Sequence, residues 1–302
     1  YVLYAEPRSA DTAAALRGAG AFKAYMAEST GGLQLGVEDL DGIVREAERQ
    51  RKITVVHAED PTKFMKGRAP SLRDYSTARP KESETSALAI LRRIRGDASV
   101  HVAHVTCVDA VDAVPPGVTC EVTPHHLFLD WSKPLGARGK VNPPLRSRED
   151  RDALWEAFRQ GRVDVVASDH APHTLEEKDV PFEEAPAGLP GVATAFPLLM
   201  RRTRAGDIDL PRLVAAIASR PAQLLNIPKG IIEVGRDADL IVVDPRAMEK
   251  IRAKRLGYKC DWTPFEGMEA CFPKTVYVRG EPVVEDGEAA AGGRGRLLAP
   301  ST

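Results

Sequence analysis

Seven histidines, all between His57 and His173, fall in four short runs: V-V-H-A-E-D, H-V-A-H-V-T, E-V-T-P-H-H-L-F and A-S-D-H-A-P-H. A lone histidine at the end of a strand is more often structural than a ligand. Four such runs, interleaved with carboxylates, are a different matter. Imidazole nitrogens together with carboxylate oxygens suit Zn²⁺, and a bound zinc makes water acidic enough to attack a resistant amide near neutral pH. Asp169, in S-D-H-A-P-H, is the residue best placed by type to move a proton beside such a metal; its structural alternative is a cap before Ala171-Pro172.

Chemistry of that kind needs elements that converge. Short β-branched runs at 1–5, 21–26, 53–57, 100–105, 118–122 and 163–168 alternate with helical patterns at 9–17, 37–51, 83–95, 107–114 and 148–160. This alternation predicts βα units on a parallel sheet. His57, His104, Glu121 and Asp169 each stand at or near the C-terminal end of a separate strand, and Lys23 lies within another. Strand ends converge on one centre in a (β/α)8 barrel and spread along an edge in an open sheet, so the expected fold is α/β, a TIM-type barrel. Only six strands precede the helical stretch 192–226, two short of closure, and the first two βα units are expected upstream of Tyr1. Residues 1–227 are read as this incomplete barrel. Alternating, turn-punctuated segments follow, so 228–302 is read as the C-terminal part of a β-sandwich module with a loose tail from 287.

Composition excludes several classes. The 42 Lys and Arg nearly cancel 43 Asp and Glu, leaving a net charge of −1 and no field to draw nucleic acid or an anionic membrane. No run of about 18 apolar residues suggests a membrane span, and no signal-peptide pattern opens the chain. Cys107, Cys120, Cys260 and Cys271 form no C-x-x-C pair, which suits a reducing cytoplasm and a small-molecule partner.

The ordered series G-A-F-K-A-Y-M-A-E-S-T, V-V-H-A-E-D, H-V-A-H-V-T, C-E-V-T-P-H-H-L-F-L-D, K-V-N-P-P-L-R-S, A-S-D-H-A-P-H-T-L-E-E-K-D, G-L-P-G-V and D-W-T-P-F-E-G resembles dihydroorotase of the amidohydrolase superfamily. The likeness is to the lysine-containing type found in archaea and in the animal multifunctional pyrimidine-synthesis protein. It implies two Zn²⁺ per complete site. Lys23 would be carboxylated by CO2 to bridge them, His57 and His104 would be imidazole ligands of one ion, and Asp169 would be the last ligand and the general base. Glu121 matches a carboxylate that holds an additional zinc in the animal protein; its alternative is a buried glutamate paired with a basic residue. His101 is expected to pack deeper on the strand of His104, and His125, His126 and His170 to support the site from behind.

The same resemblance places substrate contacts at Asn142, His173, Ser29 and Gly188. Ser29 would sit on a mobile loop that Gly31 and Gly32 allow to open, although a plain connecting loop fits as well. Gly188 could equally be a turn into the next helix. Lys140 and Arg146 read as solvent-facing charges. The family's H-x-H-x-R motif and its second-strand Asn do not occur in the 302 residues.

The implied activity is reversible hydrolysis of dihydroorotate to N-carbamoyl-L-aspartate in pyrimidine biosynthesis, by a homodimer or within a larger pathway complex. Two alternatives stay open: an inactive scaffold for aspartate transcarbamoylase, and a hydantoinase- or allantoinase-type hydrolase of another cyclic ureide. His173, which hydantoinase-like relatives usually lack, favours dihydroorotate.

Overall fold

The computed structural model describes residues 4–29, 32–290, 293 and 295–298. Its body is a six-stranded sheet of β1 (Tyr4–Ala5), β2 (Ala21–Tyr25), β3 (Ile53–His57), β4 (Val100–Val102), β5 (Thr119–Val122) and β6 (Val165–Val166). All five pairings are parallel, and the strands neighbour one another in chain order. A doubly wound sheet reverses its order at a switch point; this one does not. All six expected strands are present, though residues 1–3 of the first lie outside the described residues.

Helices α1 (Ala10–Ala15), α2 (Val37–Arg49), α4 (Lys81–Ile94), α5 (Val108–Ala113) and α7 (Arg148–Arg159) occupy the connections, close to the expected ranges. Their sequences explain them. In α2, Leu40, Ile43, Val44 and Ala47 form one buried stripe, with Glu38 and Asp39 in the first turn and Arg49 in the last. Helix α7 starts on Ser147, whose side chain accepts from the Asp150 amide, and buries Leu154, Trp155, Ala157 and Phe158. These faces and the strands share one core around Phe22, Val56, Leu88, Leu91, Val102, Val122 and Phe158.

Three short helices fall outside the sequence expectation: α3 (Leu72–Ala78), α6 (Pro124–Phe128) and α8 (Leu175–Lys178). The helical stretch after 192 resolves into α9 (Ala195–Arg204), α10 (Leu210–Val214), a π-helical turn at Ala215–Ser219 and α11 (Arg220–Leu224).

The C-terminal part holds β7 (Leu240–Val242), β8 (Glu249–Lys250), β9 (Glu269–Ala270), β10 (Thr275–Val278), β11 (Glu281–Glu285) and β12 (Glu288–Ala289). Strands β12, β11, β10 and β7 form an antiparallel sheet in that order, while β8 pairs with β9. The expected hairpin is β10–β11, turning at Arg279-Gly280, both with positive φ. Residues between these strands do not stay with the module: Ile251, Tyr258, Trp262 and Phe265 share a second core with Leu129, Val141, Leu145, Leu189 and Leu198. That core stiffens the loops above the parallel sheet. Within the expected loose tail, residues 291, 292, 294 and 299–302 lie outside the described residues.

Candidate functional site

The site is built on strand ends. Lys23 stands in register with Val55, which is in register with His101, while Tyr25 pairs with His57 one level higher. Val55, His101, Glu121 and Val165 line one small cavity with Leu224 and Leu225, so they face the same side of the sheet. His104 and Asp169 lie just beyond β4 and β6, and both have left-handed backbone, φ 41° and 42°. For residues other than glycine this costs of order 1 kcal/mol or more and persists only where the surroundings impose it.

His57 and His104 are brought together. His57 Nδ1 lies 3.2 Å from His104 Nε2, and both side chains are buried. Behind His57, Nε2 donates to Glu59 Oε2 at 2.8 Å, and Arg79 donates to both oxygens of the same carboxylate. Burial alone would raise Glu59, but the Arg79 guanidinium and the His57 bond bring it down to about 2. An ionised Glu59 fixes the proton on Nε2 and turns the Nδ1 lone pair towards His104. Desolvation pulls both histidines down, His104 the further, reinforced by His57 and Lys23; the rings are therefore neutral, as metal ligands must be.

Two imidazole nitrogens on one tetrahedral zinc, each about 2.0–2.1 Å from it, stand roughly 3.3 Å apart. The observed separation fits that arrangement as well as a hydrogen bond. His104 Nδ1 is buried without a partner among the described residues. The acidic side of the donor set is electrostatic neighbourhood: Lys23, half-buried, has its ammonium lowered by desolvation and partly restored by Glu121, Asp169 and Glu6. Desolvation raises the Asp169 carboxyl to about 6, against the opposing pull of Lys23. Among the described residues, no three His, Cys, Asp or Glu side chains already form a metal cage.

Other expected residues are placed as follows. Glu121 Oε2 lies 3.1 Å from His101 Nε2, whose other nitrogen meets the Thr119 hydroxyl at 2.7 Å. Asn142 Oδ1 accepts from the Tyr75 hydroxyl at 2.6 Å. His173 Nε2 donates to the Ala187 carbonyl at 3.2 Å. Gly188 packs on the same loop: at its φ of 145°, a Cβ would stand 2.5 Å from the Ala171 carbonyl oxygen and 3.1 Å from the His173 ring. Only glycine fits there. Ser29 is half-buried beyond β2 and bonds to none of these residues among those described; Gly31 of its expected hinge lies outside them.

His126 bridges Thr123 and the Pro143 carbonyl and is pushed to about 3 by burial. His170 Nδ1 accepts from the Gly191 amide at 3.0 Å. An open cavity of about 410 Å³ lies beside these loops, lined by His170, His173, Val192, Tyr258 and Cys260 among others. His57, His104 and Asn142 do not line it.

Two expectations are corrected. Arg146 is 3% exposed and donates to Glu84 Oε1 at 2.8 Å, to Thr106, to Ser76 and to the Arg79 carbonyl. Lys140 is 8% exposed. Both were read as solvent-facing because sequence shows charge, not the carboxylates and carbonyls waiting for it. Sequence reasoning also passed over Glu59, Arg79, Tyr75 and Trp262, whose Nε1 donates to the His173 carbonyl at 2.7 Å. Glu59, two residues after His57 in H-A-E, carried a usable signal; Arg79 and Tyr75, on or just after α3, carried none.

Comparison with known proteins gives this geometry a context. Residues 7–283 match the model of the Amidohydrolase family. The chain is 39% identical to the dihydroorotase of Methanosarcina acetivorans, covering 91% of this chain and 64% of that protein. It is 40% identical to the dihydroorotase of Halobacterium salinarum, covering 90% and 66% respectively. It thus spans just under two thirds of the length of these relatives. L-hydantoinase (dihydropyrimidinase) from Arthrobacter aurescens superposes with a TM-score of 0.90 at 28% identity, covering 99% of this chain and 73% of that one. Dihydropyrimidinase from Brevibacillus agri gives 0.88 at 27% identity. The strand-end histidines, the parallel sheet and the family match agree: this chain belongs to the amidohydrolase family.

Proposed function

We propose that this protein acts as a zinc-dependent dihydroorotase, opening dihydroorotate to N-carbamoyl-L-aspartate and closing it in the reverse direction. The observation that carries the reading is the His57–His104 nitrogen pair, spaced for a shared metal and backed by Glu59. The dihydroorotases among its relatives support the substrate. The six sequential parallel strands are taken as part of a (β/α)8 barrel spanning 1–227, and 228–302 as part of a β-sandwich module.

In this reading His57 Nδ1, His104 Nε2, Asp169 and Lys23 would hold zinc, which supplies Lewis acidity towards water and the ring carbonyl. The lowered ammonium of Lys23 makes the neutral amine accessible, and that amine would add to CO2, releasing a proton, to give a carbamate able to hold metal. Asp169 takes a proton from the attacking water. As the ring C–N bond breaks, it returns that proton to the leaving nitrogen. Asn142, His173, Gly188 and Ser29 are assigned to the substrate side, where dihydroorotate's carboxylate and ring amides need polar partners. Glu121 is assigned to its pair with His101. No H-x-H pair occurs in these 302 residues.

The test is the full-length gene product, loaded with zinc and bicarbonate and assayed on dihydroorotate and on hydantoin in parallel. The expected kcat/KM favours dihydroorotate by about 100-fold or more, because a site built for a charged group is left unpaired by an analogue without it. Preference for hydantoin would replace this reading with the second one, which the likeness to L-hydantoinase favours. Turnover of neither substrate, with tight binding to aspartate transcarbamoylase, would assign a scaffold role.

A further inference from the structure

Two lysines that this chemistry does not use are buried where lysine is costly. Lys178, on the single turn α8, is 1% exposed, and Lys140 is 8% exposed. Their ammonium groups are spent on backbone carbonyls. Lys178 Nζ donates to Pro186 O at 2.7 Å, Lys140 O at 3.1 Å and Ala137 O at 3.4 Å. Lys140 Nζ donates to Phe182 O and Glu183 O, both at 3.0 Å.

The arrangement is reciprocal. Lys178 reaches across to the backbone of Lys140, and Lys140 reaches back to the backbone that follows Lys178. Gly188 closes the loop by donating its amide to the same Lys140 carbonyl at 2.9 Å. The segment after α8 has no helix or strand up to residue 188; the Pro181 carbonyl takes backbone amides, while those of Phe182, Glu183 and Pro186 take the two lysines. An ammonium has three donors and no acceptor, and Lys178 uses all three on carbonyls. Aromatic faces complete the enclosure: Trp262 lies 6.0 Å from Lys178 Nζ, and Tyr75 and Phe182 lie 5.3 and 5.5 Å from Lys140 Nζ. Trp262 holds the His173 carbonyl, and Tyr75 holds Asn142.

We propose that Lys140 and Lys178 form a two-lysine staple whose role is positional: it locks the segments carrying Asn142, His173 and Gly188 into one substrate-binding wall. The proposal rests on the reading of those three residues as substrate-side groups. A buried cation without a carboxylate is expensive, and desolvation followed by repulsion from Lys140 brings Lys178 down to about 8. A methionine would fill the same space without that cost but would take the donor from the Pro186 carbonyl and leave the Lys140 and Ala137 carbonyls only their backbone partners.

The experiment compares Lys178→Met and the milder Lys140→Met with the wild type as full-length, zinc-loaded gene products. Hydrogen exchange at the Gly188 amide should quicken about tenfold or more in both variants while β3 and α4 stay protected. KM for dihydroorotate should rise about tenfold with kcat within about threefold and zinc content unchanged, the signature of lost binding rather than lost chemistry. Unchanged protection of Gly188, or a variant that loses only thermal stability at constant KM, overturns the staple. Should Lys178→Met fail to fold, Lys140→Met decides by the same two readings. If Gly188 loses protection as expected but the wild type does not turn over dihydroorotate, the staple stands and the substrate assignment falls.

Discussion

At the scale of single residues, Asp169 and His104 share an uncommon feature, a left-handed backbone immediately after a strand. That conformation turns each side chain out of the ladder towards the strand ends, where Lys23 raises the demand for negative charge and burial holds Asp169 near 6. A carboxyl poised there can both take and return a proton close to neutrality. Asp169→Asn keeps the shape and removes the proton acceptor, so kcat should fall by about 10³ or more, measured as dihydroorotate hydrolysis at saturating substrate. Glu59 acts one step away. Replacing it by Gln leaves a hydrogen-bond partner but removes the charge that holds the proton on His57 Nε2, and zinc affinity should drop about 10- to 100-fold, read by competition with a chelator. The strand-end positions of His57, His104 and Asp169 were legible because residue type and strand pattern are both written in the sequence. The burial of Arg146 and Lys140 was not, since a charged residue reads the same whether its partners are water, a buried carboxylate or backbone carbonyls.

Among elements, the strands and the longer helices could be read directly: periodicities of two and of 3.6 residues, with a Ser147 cap on α7 or acidic Glu38 and Asp39 in the first turn of α2, leave little choice. The short helices could not. Helix α3 buries only Leu72 and Ser76, and α8 is a single turn stabilised by a capping box between Thr174 and Glu177, so neither shows an apolar stripe. Yet α3 and its neighbour matter most for rigidity behind the site. Arg146 joins Ser76 of α3, the Arg79 carbonyl between the helices, Glu84 of α4 and Thr106 beyond β4. Through Arg79 the same network reaches Glu59 and His57. Arg146→Met fits the space but leaves Glu84 charged and buried with its ion-pair partner gone. The expected loss is about 3–5 kcal/mol of folding stability, measured by urea unfolding, with the histidine pair loosened as a consequence. A drop below about 1 kcal/mol would mean that Glu84 protonates or finds another partner.

For the molecule as a whole, polar residues gathered at strand ends argued for a barrel, and the six strands lie parallel in chain order; residues 251–270 reach back from the C-terminal part. They pack Tyr258, Trp262 and Phe265 onto the loops above the parallel sheet. That contact was invisible beforehand because aromatic residues in irregular segments carry no periodicity to say what they cover. The remaining module is thinly packed. Ile231, Ile241 and Val242 are each nearly half exposed, Ile232 is 90% exposed and Val234 fully so. Single exposed apolar residues are ordinary, but here five fall within a dozen positions of the chain. Separately, strands β1 and β6 each have one neighbour among the described residues and so an unpaired edge. The 302-residue chain on its own should therefore associate with rising concentration. Ile232→Lys together with Val234→Lys removes the two most exposed side chains without touching the core. Folding stability should change by less than about 0.5 kcal/mol per substitution, while light scattering across a concentration series shows association reduced. If association persists unchanged, the free edges of the parallel sheet are its source, and charged substitutions on β1, beginning with the half-exposed Tyr4, become the variants that should relieve it.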